Sequence, residues 1–262
     1  MWTCVIVFTV VVVWLVVWFR RRNKIPKHVF TYWYSQDPSS NQLVRECTDT
    51  WRLHNADWDI HTLNDDNLKE FTEIHRRSDE SVQHFTDRLR LDLLERYGGV
   101  WLDATIWMNT SLNWVHSYNE NVVGFNNPIR TETNAMENWF IACVPGSRLI
   151  REWNREFKKF ETHDHLRCVS PELLKRVEQP SYLLQNVAWL VAVHNDPTLL
   201  REIRLLESRD TVFGLHWKCN WNPRHFAEVF QSEKHKHYPF IKITQVERLA
   251  LTKLYADREY VF

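Results

Sequence analysis

The clearest alternation of hydrophobic and polar positions near the start of the main domain covers residues 28–63. Residues 28–34, HVFTYWY, form a β-branched and aromatic run that predicts a strand. Apolar residues then recur at helical spacing between Gln42 and His54, and residues 58–63, WDIHTL, alternate as a strand does. A strand, a helix and a strand within about 35 residues indicate a βαβ unit, and therefore a parallel pair of strands.

A second pattern, in residues 84–107, predicts a helix that leads into a buried strand. The helix, over about 84–97, has apolar residues on two opposite sides, so we expect it to pack between layers. Gly98 is placed to end it in a left-handed cap. Residues 100–107 alternate with mostly large apolar side chains on both faces, which is typical of a central strand. Asp103 lies toward the carboxyl end of this strand, where open α/β sheets bind ligands.

The remaining chain carries weaker signals. A short helix is predicted around Leu68, Phe71 and Ile74. Further helices are predicted at about 147–160, 171–178 and 182–194, and strands at 136–144 and 240–244. There is no internal repeat or low-complexity linker, so residues 28–262 are predicted to form one α/β domain with a mostly parallel central sheet.

The first nineteen residues predict a transmembrane anchor. From Trp2 to Phe19 the chain has no charged residue, and as a helix this run would span roughly 27 Å, close to a bilayer core of about 30 Å. Basic residues follow the run in a juxtamembrane segment, 20–27, and none precedes it, which favours a retained anchor over a cleaved signal peptide. The same charges favour a single-pass protein with its main domain in the cytosol. A lumenal orientation is the alternative.

Composition excludes some classes of function. The formal net charge is +0, which argues against a nucleic-acid partner. Neither a G-x-G-x-x-G motif nor a Walker loop is present, so a diphosphate would not be cradled by a glycine-rich turn.

Asp103 is the first candidate functional residue because its strand is otherwise so apolar. A buried, unpaired carboxylate costs several kcal/mol, so it needs a cation, a metal or hydroxyl donors. We expect the protein to leave Asp103 unpaired, so that a ligand pairs with it. Asp87 and Arg90, three residues apart on the preceding helix, lie on a face that the pattern also buries. The alternatives are an aspartate satisfied by backbone amides and a plain helix ion pair.

Three blocks of the chain, read in order, resemble a known family. They are IPKHVFTYW at 25–33, TWRLHNADWDIHTLNDDN at 50–67, and the segment from Thr86 to Thr105. The last contains TDRLR, then YGG, then DAT, and is similar to a helix with S-D-x-L-R, a Y-G-G turn and a strand ending in D-x-D. This pattern resembles glycosyltransferases of the group that includes capsular polysaccharide synthesis proteins, initiating α-mannosyltransferases and clostridial glucosylating toxins. The resemblance covers roughly residues 25–145.

The resemblance implies a GT-A type fold and the transfer of a sugar from a nucleoside diphosphate sugar to a glycan or polysaccharide acceptor, with retention of configuration. It implies that Trp33 stacks on the base, that Asp87 and Arg90 hold the donor sugar, and that Asp103 contacts ribose, sugar or a metal-bound water and is essential for catalysis. The implied donor site consists of Trp33, Asp87, Arg90, Tyr97, Gly99, Asp103, Thr105 and Asn138.

One position departs from the family pattern. The second aspartate of D-x-D, the usual metal ligand, is Thr105 here, and a hydroxyl is a poor ligand for Mg²⁺ or Mn²⁺. Two readings stay open: Asp103 binds a divalent metal with help from a later residue, or the site works without metal.

Two rival functions also stay open. One is a catalytically inactive module of the same fold that binds nucleotide or glycan, which the threonine at position 105 favours. The other is a hydrolase with Asp87 and Asp103 as an acid and base pair. Arg90 argues against the hydrolase because it should hold Asp87 ionised.

Overall fold

A computed structural model describes residues 24–34, 38–126, 136–161, 163–232 and 234–259. The strands within these ranges are β1 (His28–Tyr32), β2 (Asp59–Leu63), β3 (Gly99–Leu102), β4 (Ile106–Met108), β5 (Val122–Asn126), β6 (Met136–Cys143), β7 (Ile203–Leu206) and β8 (Phe240–Lys242). The α-helices are α1 (Pro38–His54), α2 (Val82–Tyr97), α3 (Arg148–Lys158), α4 (Pro171–Leu174), α5 (Leu184–Asn195), α6 (Gly214–Lys218), α7 (Pro223–Gln231) and α8 (Gln245–Glu259).

The central sheet has the strand order β2-β1-β3-β6-β5-β7. β1 pairs in parallel with β2 and β3, and β5 pairs in parallel with β7. β6 is antiparallel to both of its neighbours, β3 and β5. The remaining five strands therefore run in one direction, and the prediction of a mostly parallel α/β sheet is confirmed.

Alternating residues of the strands face two different cores. Phe30 and Trp101 pack with the buried residues of α2, α3 and α5 on one face of the sheet. Val29 and Val100 pack on the other face with Trp51 of α1. α2 has buried leucines on both sides, as its pattern predicted, because it lies between the sheet and α3.

A smaller unit carries the C-terminal helices. β4 and β8 form a two-stranded antiparallel sheet, in which Ile106 lies opposite Lys242. α6, α7 and α8 pack against this sheet and α1 around Leu215, Phe226 and Ile241. The predicted strand at 240–244 is thus confirmed as β8, and its partner is the segment that follows Asp103.

The predicted strand at 100–107 is wrong in one respect, because it is broken in the middle. β3 ends at Leu102, where the Asp103 amide donates to Trp139 O at 2.9 Å. The Ile106 amide then donates to Asp103 O at 3.1 Å, which closes a turn before β4 leaves the central sheet. Apolar alternation alone does not show this turn, since both halves keep the same period of two.

Two of the predicted helices are shorter than expected. The segment with Leu68 and Phe71 forms only a 3-10 turn, Leu68–Glu70. The predicted helix at 171–178 ends as α4 at Leu174. β5, β7 and the helices α6 to α8 were not predicted.

α2 begins and ends at defined residues. Ser81 caps it by accepting the His84 amide at 3.2 Å. Gly98 ends it with φ +63° and ψ −152°, so it has positive φ but lies outside the left-handed helical well that the predicted cap would use. Glycine adopts this backbone conformation without strain, whereas a Cβ at this position would lie 2.6 Å from Pro145 N.

Among the described residues, no helix is both long and apolar enough to cross a membrane. The predicted anchor, residues 1–19, lies outside the described part of the chain, as do residues 20–23 of the basic segment. Both stay predictions.

Candidate functional site

The site lies at the carboxyl edge of β1 and β3. The parallel register pairs Val29 with Val100 and Phe30 with Trp101, so the residues that follow these strands, Trp33 and Asp103, emerge at the same edge. Four other elements deliver polar side chains to Asp103 or to the residues around it. They are Asp87 and Arg90 of α2, Asn138 of β6, Gln185 of α5 and Lys242 of β8.

Arg90 is the centre of this network. Its side chain is 5% exposed and forms an ion pair with Asp87 one turn earlier in α2. Its Nη1 donates to Gln185 Oε1 at 2.6 Å and its Nη2 donates to Asp103 Oδ1 at 3.1 Å. The guanidinium also lies over the Trp101 ring, 5.1 Å from its centroid. Its Nε is buried and has no hydrogen-bond partner among the described residues.

Asp103 is paired by the protein, so the prediction that it is left unpaired is wrong. Its Oδ1 accepts from Arg90 and from Trp101 Nε1 at 3.1 Å, and its Oδ2 accepts from Lys242 Nζ. The alternative of an aspartate satisfied by backbone amides does not hold either, since its partners are side chains. The Asp103 side chain is 25% exposed and Lys242 16%, so this pair lies nearer the surface than Arg90.

Asn138 and Gln185 complete the network. Asn138 Nδ2 donates to Gln185 Oε1 at 2.9 Å and to Asp87 Oδ1 at 3.2 Å. Gln185 is fully buried, and its Nε2 donates to Asp87 O at 3.0 Å. α2, β6 and α5 are thereby joined at the site by hydrogen bonds whose directions fix each side chain.

The pKa values of the two carboxylates, Asp87 and Asp103, are shifted in opposite directions. Burial raises the pKa of Asp87 to about 6, against the attraction of Arg90, and the charge of Asp103 adds to the rise. Burial also disfavours the ionised form of Asp103, but Lys242 and Arg90 outweigh it and lower the pKa of Asp103 to about 2. Asp103 therefore stays ionised at neutral pH, whereas Asp87 begins to protonate in mild acid. At neutral pH Asp87 is still mostly ionised, in line with the expectation that Arg90 holds it ionised.

Trp33 lies beside this network with its ring fixed. Its Nε1 donates to Asn41 Oδ1 at 2.8 Å, and its amide donates to Leu63 O at 3.0 Å, which aligns it with the end of β2. The guanidinium of Arg248 lies 5.3 Å from the ring centroid. An aromatic ring held in this way is suited to stack on a flat base.

Tyr97 and Gly99 lie at the other end of the sheet, so the structure does not bring them to the site. Gly99 begins β3, and four residues at about 3.3 Å each separate it from Asp103 by roughly 13 Å. A Cβ on Gly99 would lie 2.6 Å from His28 O, so this glycine allows close strand packing. The Tyr97 hydroxyl donates to Phe71 O at 2.8 Å. Both residues serve the fold where the resemblance implied donor binding.

Thr105 is next to Asp103 in sequence, but its hydroxyl is used by the fold. It is 5% exposed, and its Oγ1 donates to Ile243 O at 2.7 Å. The Ile243 amide donates back to Thr105 O at 2.9 Å. Thr105 therefore fastens the chain just after β8 to the turn that holds Asp103.

The side chains present do not fit the divalent metal that the resemblance implied. Both oxygens of Asp103 accept from cationic or N–H donors of the protein, and Thr105 has no second carboxylate to offer. Mg²⁺ and Mn²⁺ are held by carboxylate and carbonyl oxygens that face the ion. Within the described ranges no group of three His, Cys, Asp or Glu side chains lies close enough to hold a metal.

Two residues of the site were not identified from the sequence. Gln185 is a polar residue near the start of the apolar helix α5, and Lys242 is the charged residue in the apolar strand FIKIT. The charge of Lys242 between apolar residues is a signal that could have identified it, because burial of such a group requires a partner. Gln185 is followed by Asn186, so its position in the sequence does not single it out.

A curated relative and two solved structures are similar to this chain. A curated O-glycosyltransferase, BraB of Annulohypoxylon truncatum, is 26% identical over 169 residues, which cover 54% of this chain and 40% of that protein. The chain therefore matches well under half of this relative's length. Among solved structures, the PaToxG glycosyltransferase has a TM-score of 0.41 at 12% identity and covers 88% of this chain and 87% of its own. The glycosyltransferase GlyE of Streptococcus pneumoniae TIGR4 has a TM-score of 0.47 at 10% identity, over 85% of this chain and 55% of its own.

The fold and the site define an α/β protein with a mostly parallel sheet and a buried carboxylate and guanidinium network at its carboxyl edge. The model of the capsular polysaccharide synthesis protein family matches residues 18–167, more than half of the sequence. The chain belongs to this family. The resemblance seen in residues 25–145 is thereby confirmed.

Proposed function

We propose that this protein transfers a sugar from a nucleoside diphosphate sugar to a glycan or polysaccharide acceptor. The observation that carries the proposal is the network of Asp87, Arg90, Asp103, Asn138 and Gln185 at the carboxyl edge of the sheet, in a chain of this family. Carboxylates, an amide and a guanidinium fixed in one place form the kind of polar surface that binds sugar hydroxyl groups.

The donor is proposed to lie across this edge with its base on Trp33. The donor sugar would lie over Asp87, Arg90 and Asn138, where carboxylate oxygens accept from hydroxyl groups and the guanidinium donates to them. Asp103 would face the ribose or the sugar on the more exposed side of the network. Tyr97 and Gly99 have no part in this donor site because they lie at the other end of the sheet. Thr105 has no part in it because its hydroxyl donates to Ile243 O.

The transfer breaks the bond between the anomeric carbon and the diphosphate oxygen, and its electron pair leaves with the nucleoside diphosphate. The acceptor hydroxyl oxygen bonds to the anomeric carbon, and its proton passes to the solvent. Retention of configuration is proposed from the family resemblance. Asp103 stays ionised throughout, because its low pKa keeps it a carboxylate at neutral pH.

The anchor is part of the same proposal. Residues 1–19 would hold the protein in a membrane as a single-pass protein, and the basic residues of 20–27 would keep the main domain in the cytosol. An enzyme held in this way would meet a membrane-bound glycan acceptor at the surface.

A panel of UDP- and GDP-sugars, incubated with the full-length chain, tests the proposal through release of nucleoside diphosphate. One donor should release its nucleotide, and Asp103→Asn should lower the rate about 10- to 150-fold, the range of one hydrogen bond to a charged group. Asp57→Asn is the matched control, since Asp57 pairs with Lys27 in an exposed ion pair at the other edge of the sheet. This control should leave the rate unchanged.

The rival functions give different results in the same assay. Binding of nucleotide without turnover of any donor would support the inactive module, which the full pairing of Asp103 favours. Hydrolysis of a glycoside with no nucleotide present would support the hydrolase and contradict the proposal.

A further inference from the structure

Lys242 is a cation that strand β8 positions at the candidate site. It is the last residue of β8, and the ladder between β4 and β8 sets it opposite Ile106, three residues after Asp103. Its ammonium pairs with Asp103 Oδ2 although the two residues are 139 positions apart in the chain. Asp103 is the side-chain partner that the described residues show for this lysine.

Thr105 holds the segment that carries Lys242. The two hydrogen bonds between Thr105 and Ile243, at 2.7 and 2.9 Å, extend the β4 and β8 pairing toward Asp103. The threonine that replaces the second aspartate of D-x-D therefore fastens the neighbour of Lys242. Where D-x-D would place a metal ligand, this chain has a contact that positions the neighbour of a lysine.

The chain after Lys242 is fixed as well. Thr244 precedes α8, and both its amide, at 3.2 Å, and its hydroxyl donate to Glu247 Oε2 in the first turn of that helix. Glu247 is buried, and His216 Nε2 of α6 lies 3.7 Å from its Oε2. A lysine between a strand ladder and an anchored helix start is preorganised, since its backbone loses little further freedom when a ligand binds.

We infer that Lys242 replaces the divalent metal ion in this site and binds the diphosphate of the donor directly. The inference rests on the proposed function, because it names the group that meets the donor's diphosphate. An ammonium has three N–H donors, and Asp103 Oδ2 takes one of them, which leaves two for phosphate oxygens. Asp103 then holds the cation in place and keeps it charged.

Charge supports this assignment. A metal at Asp103 Oδ2 would have to displace the ammonium that is already there, and Arg90 on Oδ1 would repel it. With Asp87 and Asp103 ionised, the network around Asp103 contains these two carboxylates and the cations Arg90 and Lys242, while Arg248 lies beside Trp33. A diphosphate brought to Lys242 therefore meets a cation at the more exposed end of a neutral network.

Binding of UDP and GDP to the full-length chain tests the inference, measured by calorimetry with excess EDTA and again with Mn²⁺. The wild type should bind one of them equally well in both conditions. Lys242→Met should weaken that binding about 10- to 150-fold in EDTA. It should leave binding of the matching nucleoside, uridine or guanosine, unchanged, which also shows that the variant is folded. Lys242→Arg should keep metal-independent binding.

Lys27→Met is the matched control, because it removes a lysine from an exposed Lys–Asp pair at the opposite edge of the sheet. Loss of wild-type binding in EDTA, or unchanged diphosphate affinity in Lys242→Met, would overturn the inference while the proposed function stands. Failure of the wild type to bind either nucleotide in either condition would overturn the proposed function and the inference with it.

Discussion

Gln185 is the residue through which the structure makes its sharpest prediction about the site. It is fully buried, and its side chain takes part in three hydrogen bonds. Gln185→Leu keeps the size of the side chain and removes all three. Arg90 and Asn138 each keep one hydrogen bond to Asp87 Oδ1, so the buried guanidinium still has an acceptor.

The expected loss of folding stability follows from the kinds of hydrogen bond that the substitution removes. The bond from Arg90 at 2.6 Å involves a charged donor and contributes about 1.5 to 3 kcal/mol. The two bonds with Asn138 and the Asp87 carbonyl are neutral and contribute about 0.5 to 1.5 kcal/mol each. A buried leucine recovers about 1.5 to 3 kcal/mol through its apolar surface. The midpoints of these ranges give a net fall in the free energy of unfolding of about 2 kcal/mol.

Urea unfolding, followed by the fluorescence of buried tryptophans such as Trp101 and Trp153, measures this fall. Gln42→Leu is the matched control, because Gln42 lies exposed on α1 and makes one bond, to Glu46 at 3.1 Å. The control should change the free energy of unfolding by less than about 0.5 kcal/mol. If Gln185→Leu is no less stable than Gln42→Leu, the network does not stabilise the fold and the reasoning is refuted.

Two further predictions concern Asp87 and Gly99. The pKa of Asp87 is raised to about 6, so the folded chain takes up a proton there before the unfolded chain does. Wild type should therefore gain about 1 kcal/mol of stability relative to Asp87→Asn as the pH falls from about 7 to about 5, measured by urea unfolding. A difference that stays constant over this range would contradict the assignment. Gly99→Ala should destabilise more than Gly146→Ala by over about 1 kcal/mol, because both have positive φ but only Gly99 would place a Cβ 2.6 Å from a backbone oxygen. Thermal unfolding at matched pH compares the two, and equal losses would show that the contact with His28 O does not matter.

Local sequence patterns predicted many of the strands and helices of this protein. The periodicities of residues 28–63 and 84–102 predicted β1, α1, β2, α2 and β3, because each element carries its own apolar spacing and end signals. Asp87, Arg90 and Asp103 were found in the same way, as charged residues inside segments that the pattern buries. The family resemblance in residues 25–145 rests on these same short segments and is confirmed.

Only the tertiary structure decided what these residues contact. Asp103 was expected to be unpaired, yet it is held by Lys242 from 139 residues away, and Arg90 is held by Gln185 from 95 residues away. The turn after β3 also depends on a distant group, since the Asp103 amide donates to Trp139 O of β6. Such partners meet only when separate elements pack, and no period of one segment encodes them. Local patterns indicate which face of these elements is buried, and the packing of helices and strands decides how Arg90 and Asp103 are paired.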